Sequence, residues 1–332
     1  MTRALLLIVF GAWTPLFAQT SAVLAGAGYS SPAPFLIAPG QVLTLFVRGV
    51  PAAADGQLRS AQAGVTPFAR LPITLAGLSV RVTQGPSFSQ QVPIFAVRQE
   101  NDCAQSGSGD PACLLTSIKI QIPFEISGDV TVTETRQVTY SPVAQISIDV
   151  DGRAGRPFPA QPVPDNAHVL TTCDASWDTS PSSVCNRQVY HADGTPVDEK
   201  SPAGPGETVK VYAYGLGTTD PQVPSGVESP SGAAVTDLLG SPRVTAPFQL
   251  NFLNALSSGP RLQNVGFSAD TPVLPVTPAA LAPGQIGAYQ LNVSLPLSLS
   301  SYFLCGGEVH TNAILTIRTS QGSEGISLCV QP

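Results

Sequence analysis

Ile118-Lys119-Ile120-Gln121-Ile122-Pro123 and Val293-Ser294-Leu295-Pro296 lie near the middle of the two halves of a 332-residue chain. Each alternates branched apolar with polar side chains and stops at a proline. A strand places successive side chains on opposite faces, so this period-2 pattern describes extended segments with one face buried and one face wet. The same alternation recurs outward from both. In the first half it runs through Val42 to Val47, Leu78 to Val82, Val130 to Thr133 and Ile146 to Val150; in the second through Val209 to Tyr214, Phe248 to Phe252, Tyr289 to Leu295, Ala313 to Thr319 and Ile326 to Val330. Gly, Pro and Ser separate the blocks, as turns between short strands require.

The two series echo each other. Ala38-Pro39-Gly40-Gln41 precedes a strand as Gly204-Pro205-Gly206-Glu207 does, and Ile120-Gln121-Ile122-Pro123 matches Val293-Ser294-Leu295-Pro296. This is the pattern of a diverged duplication. The expected fold is all-β: two immunoglobulin-like Greek-key β-sandwich domains in tandem, joined by a Pro/Gly-rich, cysteine-containing connecting segment. The expected boundaries are 1–18, 19–151, 152–200 and 201–332, namely a signal peptide, a first sandwich, a linker with a disulfide-closed insertion, and a second sandwich.

Composition agrees. Hydrophobic residues make up 43% of the chain and charged residues 11%, and there are 30 Gly and 32 Pro, which suits many short strands better than helices. Arg3, the apolar run Ala4 to Phe10, Pro15 and Ala18 read as a leader cleaved after Ala18. With that leader, and without a second apolar stretch long enough to span a bilayer, the expected location is secreted, periplasmic or envelope-associated. Formal charge is −6, and the lysines number three, Lys119, Lys200 and Lys210. Binding to a phosphate backbone needs clustered cations, so nucleic acid is not an expected partner.

The six cysteines form an even set suited to an oxidising compartment. Proximity suggests Cys103 with Cys113, Cys173 with Cys185, and Cys305 with Cys329. Loops of the first two sizes gain about 3 kcal/mol on closure in the chain-entropy model. A zinc site has no CxxC pair to rest on.

Several stretches resemble the Solibacter uncharacterised C-terminal domain family of secreted acidobacterial proteins. Ala22 to Ala27 with Ile37-Ala38-Pro39-Gly40 is similar to its opening, and Val92 to Val97 with Ile118 to Pro123 to its mid-domain strand pair. Ala192-Asp193-Gly194-Thr195, Ser201 to Glu207, Tyr214 to Thr219, and Ala282 to Val293 extend the likeness over nearly the whole chain after the leader. The resemblance implies an exported immunoglobulin-like module and no known activity, and carries over no functional residue. The Cys103 to Cys113 and Cys173 to Cys185 insertions depart from the family's pattern.

Chemistry-bearing motifs are sparse. His168, His191 and His310 fit no metal spacing, and no GxSxG elbow occurs, although a Ser-His-Asp set assembled from distant residues remains compatible with the sequence. Gly107-Ser108-Gly109 and Gly215-Leu216-Gly217 read as turns, because no helix follows either to hold phosphate. Asp149, Asp151 and Gly152 offer oxygens for calcium at a strand end, short of a full ligand set, so no cofactor is expected. The best binding candidates lie in the 165–191 insertion: Trp177, Asp174, Asp178, Tyr190 and His191. A tryptophan on an ordered loop stacks on sugar rings, or forms the loop's own small core. The sequence therefore points first to a non-catalytic structural or adhesion-type module binding an unknown surface protein or glycan. A polysaccharide-binding protein comes second and a secreted hydrolase third.

Burying an Ile or Val in such a strand contributes about 1.5–3 kcal/mol, and an unpaired charge in its place costs more. Ile120→Asp is expected to prevent folding of the first half; an unchanged melting temperature and soluble yield would refute the inward placement of Ile120.

Overall fold

The structure is a computed structural model and describes residues 23–27, 35–64, 70–103, 110–128, 130–132, 138–174, 185–237, 242–250, 272–299, 304–306 and 310–331. The leader read at 1–18 lies outside the described residues. Among them the fold is all-β, with one 3₁₀ turn at Pro111–Cys113 and no α-helix.

In the first half, a five-stranded sheet runs in the order Val23–Ala27, Val42–Arg48, Leu114–Gln121, Ile94–Asn101, Ser60–Gln62. A second sheet runs Leu36–Ile37, Phe158–Pro162, Ala144–Val150, Leu78–Gln84, Thr74–Leu75, with Phe88–Gln91 also pairing with Leu78–Gln84. Their inward residues, among them Leu45, Ile118, Ile120, Val80, Val82, Ile146 and Ile148, form one apolar cluster. Ile120 is fully buried. In the second half, Thr208–Tyr214, Tyr289–Ser294, Val276–Leu281 and Ala234–Val235 are successive strands of a seven-stranded sheet. Val273–Leu274, Ala246–Leu250, Ala313–Arg318 and Ser323–Leu328 make a four-stranded one. Val209, Val211, Phe248, Leu291, Val293, Leu315 and Ile317 belong to a separate cluster. Each half therefore hides alternate side chains over its own core.

The echo in the sequence is an echo in topology. Val42–Arg48, Leu114–Gln121, Ile94–Asn101 and Ser60–Gln62 follow one another as Thr208–Tyr214, Tyr289–Ser294, Val276–Leu281 and Ala234–Val235 do. Leu36–Ile37 runs parallel to the closing strand Phe158–Pro162, just as Ala203 makes a parallel bridge with Val330. Even the Pro-Gly turn is built twice. The Gln41 N–H donates to Ala38 O (3.1 Å) while the Ala38 N–H donates to Gln41 Oε1 (2.8 Å). Likewise the Glu207 N–H donates to Gly204 O (3.3 Å) and the Gly204 N–H to Glu207 Oε2 (2.9 Å). Beyond the turn, Ile122 and Leu295 each donate a backbone N–H of 2.8 Å to Gln41 O and Glu207 O. The glycine before each acid or amide has φ of about +70° (70° at Gly40, 71° at Gly206), a conformation that L side chains rarely adopt.

Residues 152–200, expected to connect the halves, divide between them. Phe158–Pro162 supplies a strand to the first half, whereas His168–Val169 and Val189–Tyr190 both pair with Thr208–Tyr214 in the second. The apolar positions Ala160, Val169 and Val189 are buried and draw these short segments into the sheets. Disulfides join Cys103 to Cys113, Cys173 to Cys185 and Cys305 to Cys329.

The halves meet through hydrogen bonds from strand ends and turns. Buried Gln121 accepts from the Gly226 N–H (2.6 Å), and Gly226 O accepts from Leu71 (2.8 Å). Ser225 Oγ accepts from the Phe124 N–H and donates to Glu125 Oε2, both at 2.9 Å. A Cβ on Gly287 would stand 2.7 Å from Val42 Cγ2 and 2.9 Å from Gln121 Nε2, so only glycine fits this approach.

Arg59 fixes the far end of the first half. Its side chain is 2% exposed, and its five N–H bonds go to the carbonyls of Pro51, Ala52 and Ala76 and to both oxygens of Asp151. Asp151, considered above for calcium, is thus spoken for, and Asp149 accepts from the Gly155 N–H at 3.4 Å. Lysine cannot fill this fork. Arg59→Lys and Arg59→Met are each expected to lower unfolding free energy by about 2–4 kcal/mol in denaturant titrations, because buried carbonyls lose their donors.

Candidate functional site

Between the halves lies a cleft of about 480 Å³. Its floor and walls come from strand faces that alternation turns away from the two cores. Tyr212 and Tyr214 share a face of Thr208–Tyr214 because Val211 and Ala213, the residues between and before them, point into the core. Tyr190 pairs with Lys210 on the neighbouring strand, and its ring meets that of Tyr212 edge-on, with centroids 5.7 Å apart and planes at 71°. The first half contributes Phe95 and Lys119, the latter on the outward face between Ile118 and Ile120. Gln62, Gln188 and Gln285 bring amide groups to the same space.

Lys119 links the halves here. Its ammonium donates to the backbone carbonyl of Asp174 (2.8 Å) and lies 5.9 Å from the Phe95 ring centroid and 5.7 Å from that of Tyr214. Burial lowers its pKa below the ordinary lysine value, opposed by the negative charge of Asp174. Tyr214 is pushed up to about 12 by burial, with the Asp174 charge adding to it.

The Asp174 carboxylate organises the loop at the rim of the cleft. Its Oδ2 accepts from the Thr171 N–H (2.6 Å) and Oγ (2.7 Å), and His168 Nε2 lies 3.0 and 3.1 Å from its two oxygens. On the other side, His168 Nδ1 is 3.8 Å from Glu324, which also accepts from the Val169 N–H and pairs with Arg187 at 3.1 Å. The Cys173–Cys185 disulfide closes the same loop. Burial alone would raise the Asp174 pKa, yet the bonds from His168 and Thr171 and the His168 charge hold it down to about 2. Burial likewise would lower His168, but its bond to Asp174 and the negative charges of Asp174 and Glu324 raise it above the usual imidazole value.

The binding candidates read from the sequence separate in space. Asp174 and Tyr190 line the cleft. Trp177 and Asp178 lie outside the described residues. His191 is not in this set: its Nδ1 pairs with Glu207, and its Nε2 lies 3.0 Å from Ser201 O and 3.1 Å from Ser201 Oγ. That Ser-His-Glu order has the sequence of roles of a nucleophile, base and orienting acid, but the geometry serves the turn. The Ser201 carbonyl keeps a proton on Nε2, and the His191 pKa is raised, burial being outweighed by its bonds to Glu207 and Ser201. The N–H groups of Lys200 and Ser201, next to that hydroxyl in the chain, are both committed to Asp198 Oδ1. Among the described residues no cluster of three or more metal-ligating side chains occurs, and no helix is long and apolar enough to cross a membrane.

Lys119, Phe95, Tyr212 and Gln285 were not among the sequence candidates. The available signal was the pair Tyr212 and Tyr214, two aromatic residues on the strand face that alternation assigns to solvent.

No family model and no curated protein matches the chain. Among solved structures it is similar to the Yersinia pseudotuberculosis adhesin InvE, at 12% identity and a TM-score of 0.19, over 94% of this chain and 59% of that one. The chain thus spans 59% of that protein's length, and a likeness this slight carries no argument.

The His168 network has a defined pH signature. A raised histidine pKa means the folded state holds the proton more tightly, so its contribution is present below the unfolded value of about 6.5 and is lost as pH rises through the folded value. The Asp174 contribution is present above about 3.8 and lost as pH falls toward about 2. The melting-temperature advantage of the native chain over His168→Gln is therefore expected to be largest near about pH 5 and to shrink by about pH 9. An advantage that grows with pH would contradict the network.

Proposed function

We propose that the protein is an exported, non-catalytic binding module of the adhesion type, and that it takes its ligand in the cleft between its halves. The observation that carries this reading is the cleft itself: a polar and aromatic surface assembled from both halves. Its side chains are held in place before any ligand arrives. Tyr190 donates its hydroxyl to Gln188, Tyr212 donates to Gln290 Oε1 (3.3 Å), and Lys119 to Asp174. Such preorganisation lowers the ordering cost of binding.

Catalysis has less support. The cleft's carboxylate is engaged by His168 and Thr171 and stays ionised down to about pH 2, and its Tyr214 stays protonated up to about 12, so neither is poised for proton transfer near neutrality. Export rests on the leader-like first 18 residues and on three disulfides, which persist in oxidising compartments.

The test is a binding survey with the purified, oxidised full-length chain as bait against envelope proteins and glycans. A saturable partner is expected whose capture drops sharply with Tyr212→Ala and with Gln285→Ala, the latter an exposed loop position chosen because it leaves the cores untouched. Capture unchanged by both substitutions would move the site elsewhere.

A further inference from the structure

We infer that the cleft takes a neutral sugar chain, with a pyranose ring against the Tyr190–Tyr212 pair and its hydroxyls at the side-chain amides of Gln62, Gln188 and Gln285. This rests on the reading of the cleft as the ligand site and names the ligand class.

The charges of the lining are already met by the protein. Among the described residues lining the cleft, Lys119 is the one cation and Asp174 the one carboxylate. The Lys119 ammonium donates to Asp174 O, lies over the Phe95 and Tyr214 rings and feels the Asp174 charge. The Asp174 carboxylate accepts from Thr171 and pairs with His168. An ionic group on a ligand would have to displace one of these partners and give up its own hydration, and a charge buried without a dedicated counter-charge is costly. The lining therefore selects an uncharged molecule.

One aromatic platform and a set of amides face that molecule. Phe95 and Tyr214 are engaged by Lys119, whereas the Tyr190 and Tyr212 rings, each half-buried, meet edge-on and have their hydroxyls fixed by Gln188 and Gln290. Rings held this way, with their polar tips already bonded, offer area to the apolar C–H side of a sugar at little ordering cost. The exposed Gln62 and Gln285 side chains come from opposite halves and make no hydrogen bond to the described residues, and Gln188 accepts from Tyr190 through Oε1 while its amide nitrogen stays unengaged. An amide side chain offers one acceptor and two donors, the complement of neighbouring sugar hydroxyls that each donate and accept. A platform flanked by amides thus matches both surfaces of a pyranose, its apolar face and its hydroxylated edge. A neutral peptide also donates and accepts, but through its main chain, by strand addition or in polyproline form; side-chain amides grouped around rings suit hydroxyls fixed on a ring better. The volume of about 480 Å³ falls within the range of small-ligand sites, about 300–1,000 Å³.

The probes are cellohexaose, xylohexaose and mannohexaose, with oligogalacturonate and a chitosan oligomer as charged controls and an uncharged proline-rich peptide as the peptide control, each titrated calorimetrically into the full-length, oxidised chain. One-site binding of a neutral oligomer is expected, unchanged between low and high salt because no charge is neutralised. Tyr212→Ala is expected to weaken it about tenfold, whereas Tyr212→Phe, which keeps the ring and loses only the bond to Gln290, retains it. Gln285→Ala is expected to weaken it several-fold, with melting temperature followed to confirm folding of each variant. Tighter binding of a charged oligomer or of the peptide, binding that weakens with salt, affinity indifferent to Tyr212→Ala in a folded variant, or a loss in Tyr212→Phe as large as in Tyr212→Ala would each overturn the inference. If no neutral oligomer binds while capture of the envelope partner is still lost in Tyr212→Ala, the ligand class is wrong and the cleft reading stands; if neither sugar binding nor capture responds to Tyr212→Ala and Gln285→Ala, both fall.

Discussion

Gln121 occupies the position on which the relation of the two halves depends. Its strand neighbour Ile120 is fully buried in the first core, while its own amide, 1% exposed, is covered by the second half and accepts the Gly226 N–H. A buried amide without partners costs about 1–3 kcal/mol, so the second half must stay close enough to supply them. Glycine at 226 and 287 permits that distance, since a Cβ at either would meet Pro93, Val42 or Gln121 at under 3.0 Å. The cleft is what remains open beside this contact: its walls are fixed because the seam is.

The duplicated frame explains why one half carries more polar chemistry than the other. Gln41 and Glu207 hold the same place in the same turn, each accepting a backbone N–H three residues back. With a carboxylate in place of an amide, the second turn gains a charge, and His191 is drawn to it. His168 is similarly held between Asp174 and Glu324, so two of the three histidines serve as struts that pair with acidic side chains and tie the 165–191 insertion to its surroundings. His310 pairs with Glu199 in the same fashion at the surface.

Much of the fold was legible because period-2 alternation is a local property. Val42 to Val47, Leu78 to Val82, Ile146 to Val150 and Ala313 to Thr319 all coincide with strands to within two residues. The connecting segment was less legible: Phe158–Pro162 contains two prolines and reads as a linker, yet it pairs through residues 158–160 with Ala144–Val150 and through residues 161–162 with Leu36–Ile37, one strand in from the sheet edge. The candidate site was legible only in part. Asp174 and Tyr190 stood out through their cysteine-closed surroundings, whereas Lys119 and Tyr212 are separated by 93 positions and line one cleft only because the two halves meet along a seam that no local pattern encodes. His191 drew notice by residue type, but its partners are those of a turn.

A cleft whose walls belong to different halves couples occupancy to integrity. Any molecule that touches Lys119 on one side and Tyr212 on the other adds its own contacts to those of Gln121 and Gly226, so saturating it shifts the equilibrium away from separated halves by mass action. Parting the halves in turn dismantles the cleft, because Lys119 and Tyr212 sit on different ones.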